Sequence, residues 1–136
     1  MGDKKIKLKI ISPERIVFED EVDEIITDGT CGKFGILPDH VPFMSSVAIG
    51  VTKVIQDGKE EFISTMGGTF QINNNEAILL TNGAELSGEI DVLRAQAAKE
   101  RAEALLGSKA AEIDAARANL AIAKAMARLK AANRQH

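Results

Sequence analysis

Tryptophan and tyrosine are absent from this chain of 136 residues, and its one cysteine is Cys31. A single cysteine excludes an internal disulfide, which is typical of proteins in a reducing compartment. Without tyrosine or tryptophan, two of the side chains on which nucleic-acid bases stack are missing, so we expect no nucleic-acid partner. No apolar run approaches the roughly 18 residues of a membrane helix. We therefore expect membrane association only through a partner protein.

The last third of the chain lacks proline, and its only glycine after Gly88 is Gly107. Residues 88–136 hold 16 alanines, against three in residues 1–87. Because alanine is the strongest helix former, this composition predicts two helices that are broken near Gly107 and Ser108. Alanine buries little surface, so the seam between two such helices in a hairpin buries little apolar area. The tail is therefore expected to fold against something else or to change shape.

Charge is divided unevenly along the chain. Residues 1–87 hold 8 Lys and Arg against 14 Asp and Glu, and residues 88–136 hold 9 against 6. A basic tail on an acidic body predicts an anionic partner for the tail, although solvated helix charge is the commoner explanation of such a pattern.

Short strand patterns fill the first 87 residues. Ile6, Leu8 and Ile10 alternate with lysines, as in a half-buried strand. Asp57-Gly58 and Asn73-Asn74-Asn75 are hairpin turn signals. These patterns predict an antiparallel sandwich or flattened barrel over residues 1–87 and a two-helix domain over residues 88–136. The predicted strands cover residues 5–11, 15–18, 22–27, 47–55, 61–65, 70–72 and 77–81.

Three motifs stand in order along the chain. Gly32-Lys33-Phe34-Gly35-Ile36-Leu37-Pro38-Asp39-His40-Val41-Pro42 combines two glycines with two prolines, which predicts a sheet edge or a rigid surface crossing. Gly67-Gly68 comes next, followed by Phe70 and Ile72. The third motif is Glu89-Ile90-Asp91-Val92-Leu93-Arg94-Ala95. Together they make the chain resemble the epsilon subunit of bacterial rotary ATP synthases over nearly its whole length.

The resemblance implies a mainly β N-terminal sandwich of about ten antiparallel strands, followed by a C-terminal helical hairpin. It implies a non-catalytic subunit of the central stalk, between the gamma subunit and the ring of c-subunits. The complex would hold it peripherally on the cytoplasmic face of the cell membrane. The implied surface toward the c-ring and stalk consists of Asp28, Thr30, Cys31, Lys33 and His40.

Helical spacing predicts apolar strips on both tail helices. The first helix carries Ile90, Leu93, Ala97 and Ala104, and the second carries Ile113, Leu120 and Ala127. A further strip on the second helix, formed by Ile122, Met126 and Leu129, exceeds what one hairpin seam needs. We infer that this further strip meets another protein in at least one state.

The basic residues of the tail also resemble those of the ATP-binding epsilon subunits of bacilli. That resemblance implies ATP as a regulatory ligand, with or without magnesium, at Glu85, Ile90, Asp91, Arg94, Arg101, Lys124 and Arg128. It implies that the hairpin opens when ATP is scarce and reaches the alpha/beta hexamer. There, Arg117, Lys124 and Arg128 would contact acidic loops of beta and suppress ATP hydrolysis.

Explanations that involve neither ATP nor a rotary ATP synthase also fit parts of the pattern. The basic residues can be solvated helix charges with partners one turn away. A freestanding β-sandwich binding module with a coiled-coil adaptor tail would share the composition, although not the three ordered motifs. No catalytic signature is visible: Met66-Gly67-Gly68 is not followed by Gly-Lys-Ser/Thr, and neither His40 nor Cys31 has a second catalytic residue type nearby in sequence. We therefore predict no catalytic site.

Overall fold

The computed structural model describes residues 4–107 and 115–135. Those residues form a β body and two helices. The strands are β1 (Ile6–Ile11), β2 (Ile16–Val22), β3 (Glu24–Gly29), β4 (Gly32–Ile36), β5 (Phe43–Gln56), β6 (Lys59–Asn73), β7 (Glu76–Thr81) and β8 (Ala84–Leu86). A 3₁₀ turn (Ser87–Glu89) leads into α1 (Val92–Leu106), and α2 is Ala115–Ala132.

The strands form one hydrogen-bonded path that folds over on itself. Its order is β2-β1-β7-β6-β5-β3-β4, and β8 pairs with β6 beside this path. Ile10 near one end of the path and Ile36 at the other belong to the same buried cluster, as does Phe70 from the middle. Both layers therefore share one core, which confirms the predicted sandwich. The remaining core residues are Ile6, Leu8, Val17, Val22, Ile25, Val47, Val54, Ile63, Ile72, Ala77 and Leu79.

Both predicted hairpins are present. Asp57 and Gly58 have φ angles of 51° and 80°, and Asn74 and Asn75 have φ angles of 50° and 61°. These left-handed pairs suit the two-residue turns that match the twist of adjoining strands. The turns join β5 to β6 and β6 to β7. The segment between Gly32 and Pro42 contributes β4, which lies at the edge of the sheet as expected.

The strand count and one pairing differ from the expectation of about ten antiparallel strands. The described residues contain eight strands, because β5 and β6 each run without interruption for 14 and 15 residues. The acidic run Glu19-Asp20-Glu21, expected between two strands, lies within β2. In addition, β1 and β7 pair in parallel. Local patterning does not report which distant strands meet, so this pairing had no signal in the sequence.

The helical hairpin lies on the sandwich through its second helix. α2 lies against β5 and β6, and α1 packs on α2. Where α2 meets the sheet, Val51, Phe62, Ile90 and Ala131 form a small apolar cluster. Helix α1 ends at Leu106 with Gly107 as its C-cap, which confirms the predicted break.

The predicted apolar strip on α1 is wrong. Leu93 is 84% exposed, and the buried residues of the helix are Ala95 and Ala102. Ile90 is buried, but it precedes the helix and packs on the sandwich. Methyl side chains allow two helices to approach closely, so the alanines fill the seam and the larger leucine stays outside it.

On α2 the predicted strip is correct in part. Ala127 is buried, but Leu120 is 45% exposed, and Ile113 lies outside the described residues. Ala118, Ala125 and Ala131 are buried instead. In the further strip, Met126 is 42% exposed and both Ile122 and Leu129 are half-buried. The contact of this strip with another protein stays a prediction.

Candidate functional site

Asp91 fixes the start of α1. Its carboxylate Oδ1 accepts a hydrogen bond from the backbone N–H of Arg94 at 3.0 Å, so Asp91 is the N-cap of the helix. An aspartate here satisfies one of the unpaired N–H groups of the first turn and complements the helix dipole. The cap fixes where the helix begins and therefore the direction in which its side chains project.

A groove runs between the two helices. Its walls bring Arg101 of α1 and Arg117 of α2 to one cavity of about 310 Å³. The floor and rim are mostly small or apolar: Ala98, Ala102, Leu105, Ala118 and Ala121. Arg101 and Arg117 thus line the same space from opposite helices.

The same groove is flanked by further basic residues. Side chains seven positions apart lie on the same side of a helix, so Arg94 shares the groove edge of Arg101. Lys124 follows Arg117 at the same interval on α2, and Arg128 lies one turn beyond Lys124. Because the helices run antiparallel, Arg94 is level with the Lys124 end of the second row. Helical spacing therefore places Arg94 and Lys124 in line with the two arginines of the cavity, and a shared ligand of these residues stays a prediction.

Glu85 and Arg128 join α2 to the sandwich. The Arg128 Nε–H donates to Glu85 Oε1 at 2.7 Å, and both side chains are about one-third exposed. The bond leaves the other N–H groups of the guanidinium for further acceptors, since arginine has five donors. Glu85 thereby orients Arg128 and holds α2 against the sandwich.

The donor set suits a polyphosphate. Arginine forks bind phosphate through paired hydrogen bonds, and lysine adds a compact positive charge. The small floor admits a ligand close to the helix backbones. No set of three or more His, Cys, Asp or Glu side chains in residues 4–107 and 115–135 converges as a metal site would require. The groove would therefore hold an anion through positive charge and N–H donors.

The linker before α1 is anchored to the sandwich by residues that the sequence did not indicate. Arg15 donates two hydrogen bonds to the Glu89 carboxylate, at 2.8 and 2.9 Å. This guanidinium lowers the pKa of Glu89 below its ordinary value. Ser87 also donates to Glu61 at 2.8 Å. These hydrogen bonds hold the chain against the sandwich as far as Glu89, two residues before the N-cap of α1.

The predicted c-ring residues lie on the segments that precede, form and follow β4. Thr30 and Cys31 form the exposed turn between β3 and β4, and the Thr30 N–H donates to the Ser46 carbonyl where β5 begins. His40 follows the other end of β4, and its ring packs edge-on against Phe43 with 5.5 Å between ring centroids. Its neighbour Asp39 forms an ion pair with Lys4 and accepts a hydrogen bond from Asn75, so the structure does not bring His40 to the Thr30-Cys31 turn.

Asp28 has a role inside the sandwich. Its Oδ2 accepts a hydrogen bond from the Val51 N–H at 2.9 Å, where the pairing of β3 with β5 shifts register. Lys33 forms an ion pair with the other oxygen at 3.0 Å. The carboxylate thus replaces a missing strand partner. The predicted contact of these two side chains with the c-ring stays a prediction.

Both parts of the fold match known protein domains. Residues 5–87 match the family model of the ATP synthase delta/epsilon chain β-sandwich domain, and residues 89–133 match that of its long α-helix domain. The ATP synthase epsilon chain of Desulforamulus reducens is 42% identical over 129 residues, which are 95% of this chain and 98% of that one. The chain belongs to the ATP synthase epsilon family.

Other members of the epsilon family and two solved structures agree with this. The epsilon chain of Nitratidesulfovibrio vulgaris is 36% identical over 128 residues, covering 94% of this chain and 96% of its own. A chain of the Euglena gracilis mitochondrial ATP synthase, solved with OSCP, F1 and the c-ring, has a TM-score of 0.82 at 23% identity. The match covers 98% of this chain and 84% of that chain. A chain of the Tetrahymena thermophila central stalk and c-ring has a TM-score of 0.54 at 10% identity and covers 65% and 72%. At these identities the two structures show the shared fold.

Membership of the epsilon family favours the predicted ATP synthase subunit over a freestanding binding module. It also agrees with the three motifs, because the sandwich and helix models together span all of them. Among the described helices, neither α1 nor α2 has both the length and the apolar character of a membrane span.

Proposed function

We propose that this epsilon chain is a regulatory subunit of the central stalk, and that its helical hairpin binds ATP and restrains ATP hydrolysis. The gamma subunit and the c-ring are its partners in the stalk, and the alpha/beta hexamer is its partner when the hairpin extends. The complex holds the chain peripherally at the membrane. Family membership supports the stalk position, and the chemistry of the groove supports nucleotide binding.

The observation that carries ATP binding is the meeting of Arg101 and Arg117 across one groove. Two arginines on different helices repel each other unless an anion lies between them. A triphosphate there neutralises both rows and joins α1 to α2. The adjoining Glu85–Arg128 ion pair then connects the bound nucleotide to the sandwich.

Switching follows from how little holds the hairpin down. A small apolar cluster around Phe62 and Ala131 packs α2 onto the sheet beside the Arg128–Glu85 ion pair, and alanines form the seam with α1. A ligand that binds only the closed form, present at one hundred times its Kd, stabilises that form by about 2.7 kcal/mol. Such a contribution is comparable to the burial of one large side chain. ATP binding can therefore shift the equilibrium between the closed and the extended hairpin.

The open form has the reach for inhibition. The described parts of α1 and α2 contain 15 and 18 residues, or roughly 22 and 27 Å at 1.5 Å per residue. Placed end to end beside gamma, they bring Arg117, Lys124 and Arg128 to acidic loops of beta. The groove and the inhibitory contact use the same basic residues, so ATP binding and inhibition exclude each other.

Titration calorimetry of the isolated chain with ATP tests the ligand. The wild-type chain should bind one ATP, and Arg101→Ala should weaken binding by at least tenfold because it removes a charge-assisted contact. Lys130→Ala is the matched control: it removes one positive charge from α2 on an exposed side away from the groove. Equal weakening by both variants would leave general charge, not the groove, as the cause.

Small-angle scattering tests the switch itself. ATP should reduce the radius of gyration of the isolated chain, and Arg94→Ala should abolish the change. Scattering profiles that are the same with and without ATP, at concentrations where calorimetry detects binding, would contradict nucleotide control of the posture.

A further inference from the structure

Arg134 ends α2 in a conformation that costs free energy. Its φ angle is 56°, in the left-handed region, and its N–H donates to the Ala131 carbonyl at 3.0 Å. Gln135 N–H donates to the Lys130 carbonyl at 2.8 Å, which closes the helix end in the manner of a Schellman motif. Glycine is the usual residue at this position, because any Cβ opposes left-handed angles. An arginine here therefore requires a compensating contact.

The compensating contact is with the sandwich. The Arg134 guanidinium carbon lies 5.0 Å from the centre of the Phe62 ring, and Nη2–H donates to the Glu60 carbonyl at 2.6 Å. Phe62 is 4% exposed, whereas Arg134 lies at the surface and contacts the ring from that side. Both partners lie at the start of β6, just after the Asp57-Gly58 turn. A charged side chain at the end of α2 is thus bound to the body of the protein.

The remaining neighbours show what the contact controls. Ala131 and Ile90 pack beside Phe62, and Lys53 lies 5.9 Å from the same ring. Lys53 also forms an ion pair with Glu60 at 2.8 Å. The contacts of Arg134 described above are with β6 and not with α1, so they hold α2 to the sandwich without using the groove between the helices.

We propose that Arg134 and Phe62 form a latch that keeps α2 docked on the sandwich in the absence of any nucleotide. The latch sets how readily the hairpin opens, and ATP adds to it through a different surface of α2. Its value as a regulator of inhibition rests on the function proposed above, whereas its effect on docking does not.

Hydrogen exchange of the full-length chain without nucleotide tests the latch. Arg134→Gly removes the side chain and at the same time relieves the left-handed backbone. If the latch is absent, this variant should leave α2 as protected as before or more so. The latch predicts that α2 amides exchange about tenfold faster, while amides of β1 and β7 in the sandwich core keep their rates.

Two further variants separate the latch from general effects. Lys130→Gln removes a positive charge from the same last turn on an exposed side, and α2 should exchange at the wild-type rate. Phe62→Leu keeps an apolar residue but removes the ring, and should accelerate α2 to a similar extent as Arg134→Gly. The double variant should accelerate exchange by less than the product of the two single effects, because both changes remove the same contact between the guanidinium and the ring.

The outcomes distinguish this proposal from the one on ATP. Unchanged or slower exchange of α2 in Arg134→Gly overturns the latch, whatever ATP does. Additive acceleration in the double variant also overturns it, since Arg134 and Phe62 would then act separately. If saturating ATP adds no protection to wild-type α2 while Arg134→Gly accelerates exchange, nucleotide control fails and the latch stands.

Discussion

Replacing Ile90 by alanine should release α2 from the sandwich. Ile90 is 9% exposed and packs with Val51, Phe62 and Ala131, where linker, sheet and helix meet. The change removes about three methylene equivalents, each contributing about 0.8 kcal/mol when buried. The expected loss is about 2.4 kcal/mol, within the usual range for such truncations. The undocked fraction should therefore rise roughly 60-fold, since each 1.4 kcal/mol is a factor of ten.

A buried thiol can measure this release. Ala127 is 3% exposed and lies one helical turn before Ala131, so a cysteine there should react only when α2 undocks. Cys31 is exposed and must first be replaced by serine. In an Ala127→Cys background, the rate of reaction with a thiol reagent should rise by roughly the same 60-fold when Ile90 becomes alanine.

The matched control is Val92→Ala, which truncates an apolar side chain only two residues away. Val92 is 43% exposed, and such surface changes usually alter stability by less than about 0.5 kcal/mol. Labelling should therefore rise no more than about twofold. If Ile90→Ala accelerates labelling no more than Val92→Ala does, the small cluster does not hold the hairpin down, and the reasoning from burial is wrong.

Two further predictions concern the frame that carries the hairpin. The Glu89 pKa is lowered by Arg15, so this anchor stabilises the chain above the unfolded carboxyl pKa of about 4.3 and is lost as the pH falls through the folded value. Denaturant unfolding should therefore show Glu89→Gln as less stable than wild type at pH 7, with the difference shrinking as the pH falls through the folded pKa of Glu89; a difference that does not change with pH would contradict the ion pair. Gly68 has a φ of 144°, and a Cβ there would collide with the Leu80 carbonyl, so Gly68→Ala should cost about 3 kcal/mol or more in free energy of unfolding. Gly88→Ala, where a Cβ meets open space, should change it little, and equal effects of the two would contradict the backbone argument.

Local chemistry made much of this fold predictable. The alternation of Ile6, Leu8 and Ile10, the Asp57-Gly58 turn and the break at Gly107 all report short-range preferences, and each appears in the structure. The parallel pairing of β1 with β7 could not be predicted in this way, because it depends on which distant strands meet.

The helix faces show where pattern reasoning failed. Apolar size favoured Leu93 as a seam residue, but the closeness of the two helices favours Ala95 and Ala102. The seven-residue spacing of Arg94 and Arg101, and of Arg117 and Lys124, follows from the sequence alone, and the ligand of these residues stays a prediction. Arg134 gave no signal, since its contact with Phe62 needs both the left-handed helix end and the position of β6.

Regulation by this subunit requires that its ligand determine whether the hairpin is docked or extended. Hydrogen exchange of the wild-type chain measures this most directly. Without ATP, amides of α1 and α2 should exchange far faster than those of β1, β6 and β7. Saturating ATP should slow the helices by about one hundredfold, the shift expected from 2.7 kcal/mol, and leave the strands unchanged. Helices as strongly protected as the strands before any nucleotide is added would contradict the switch.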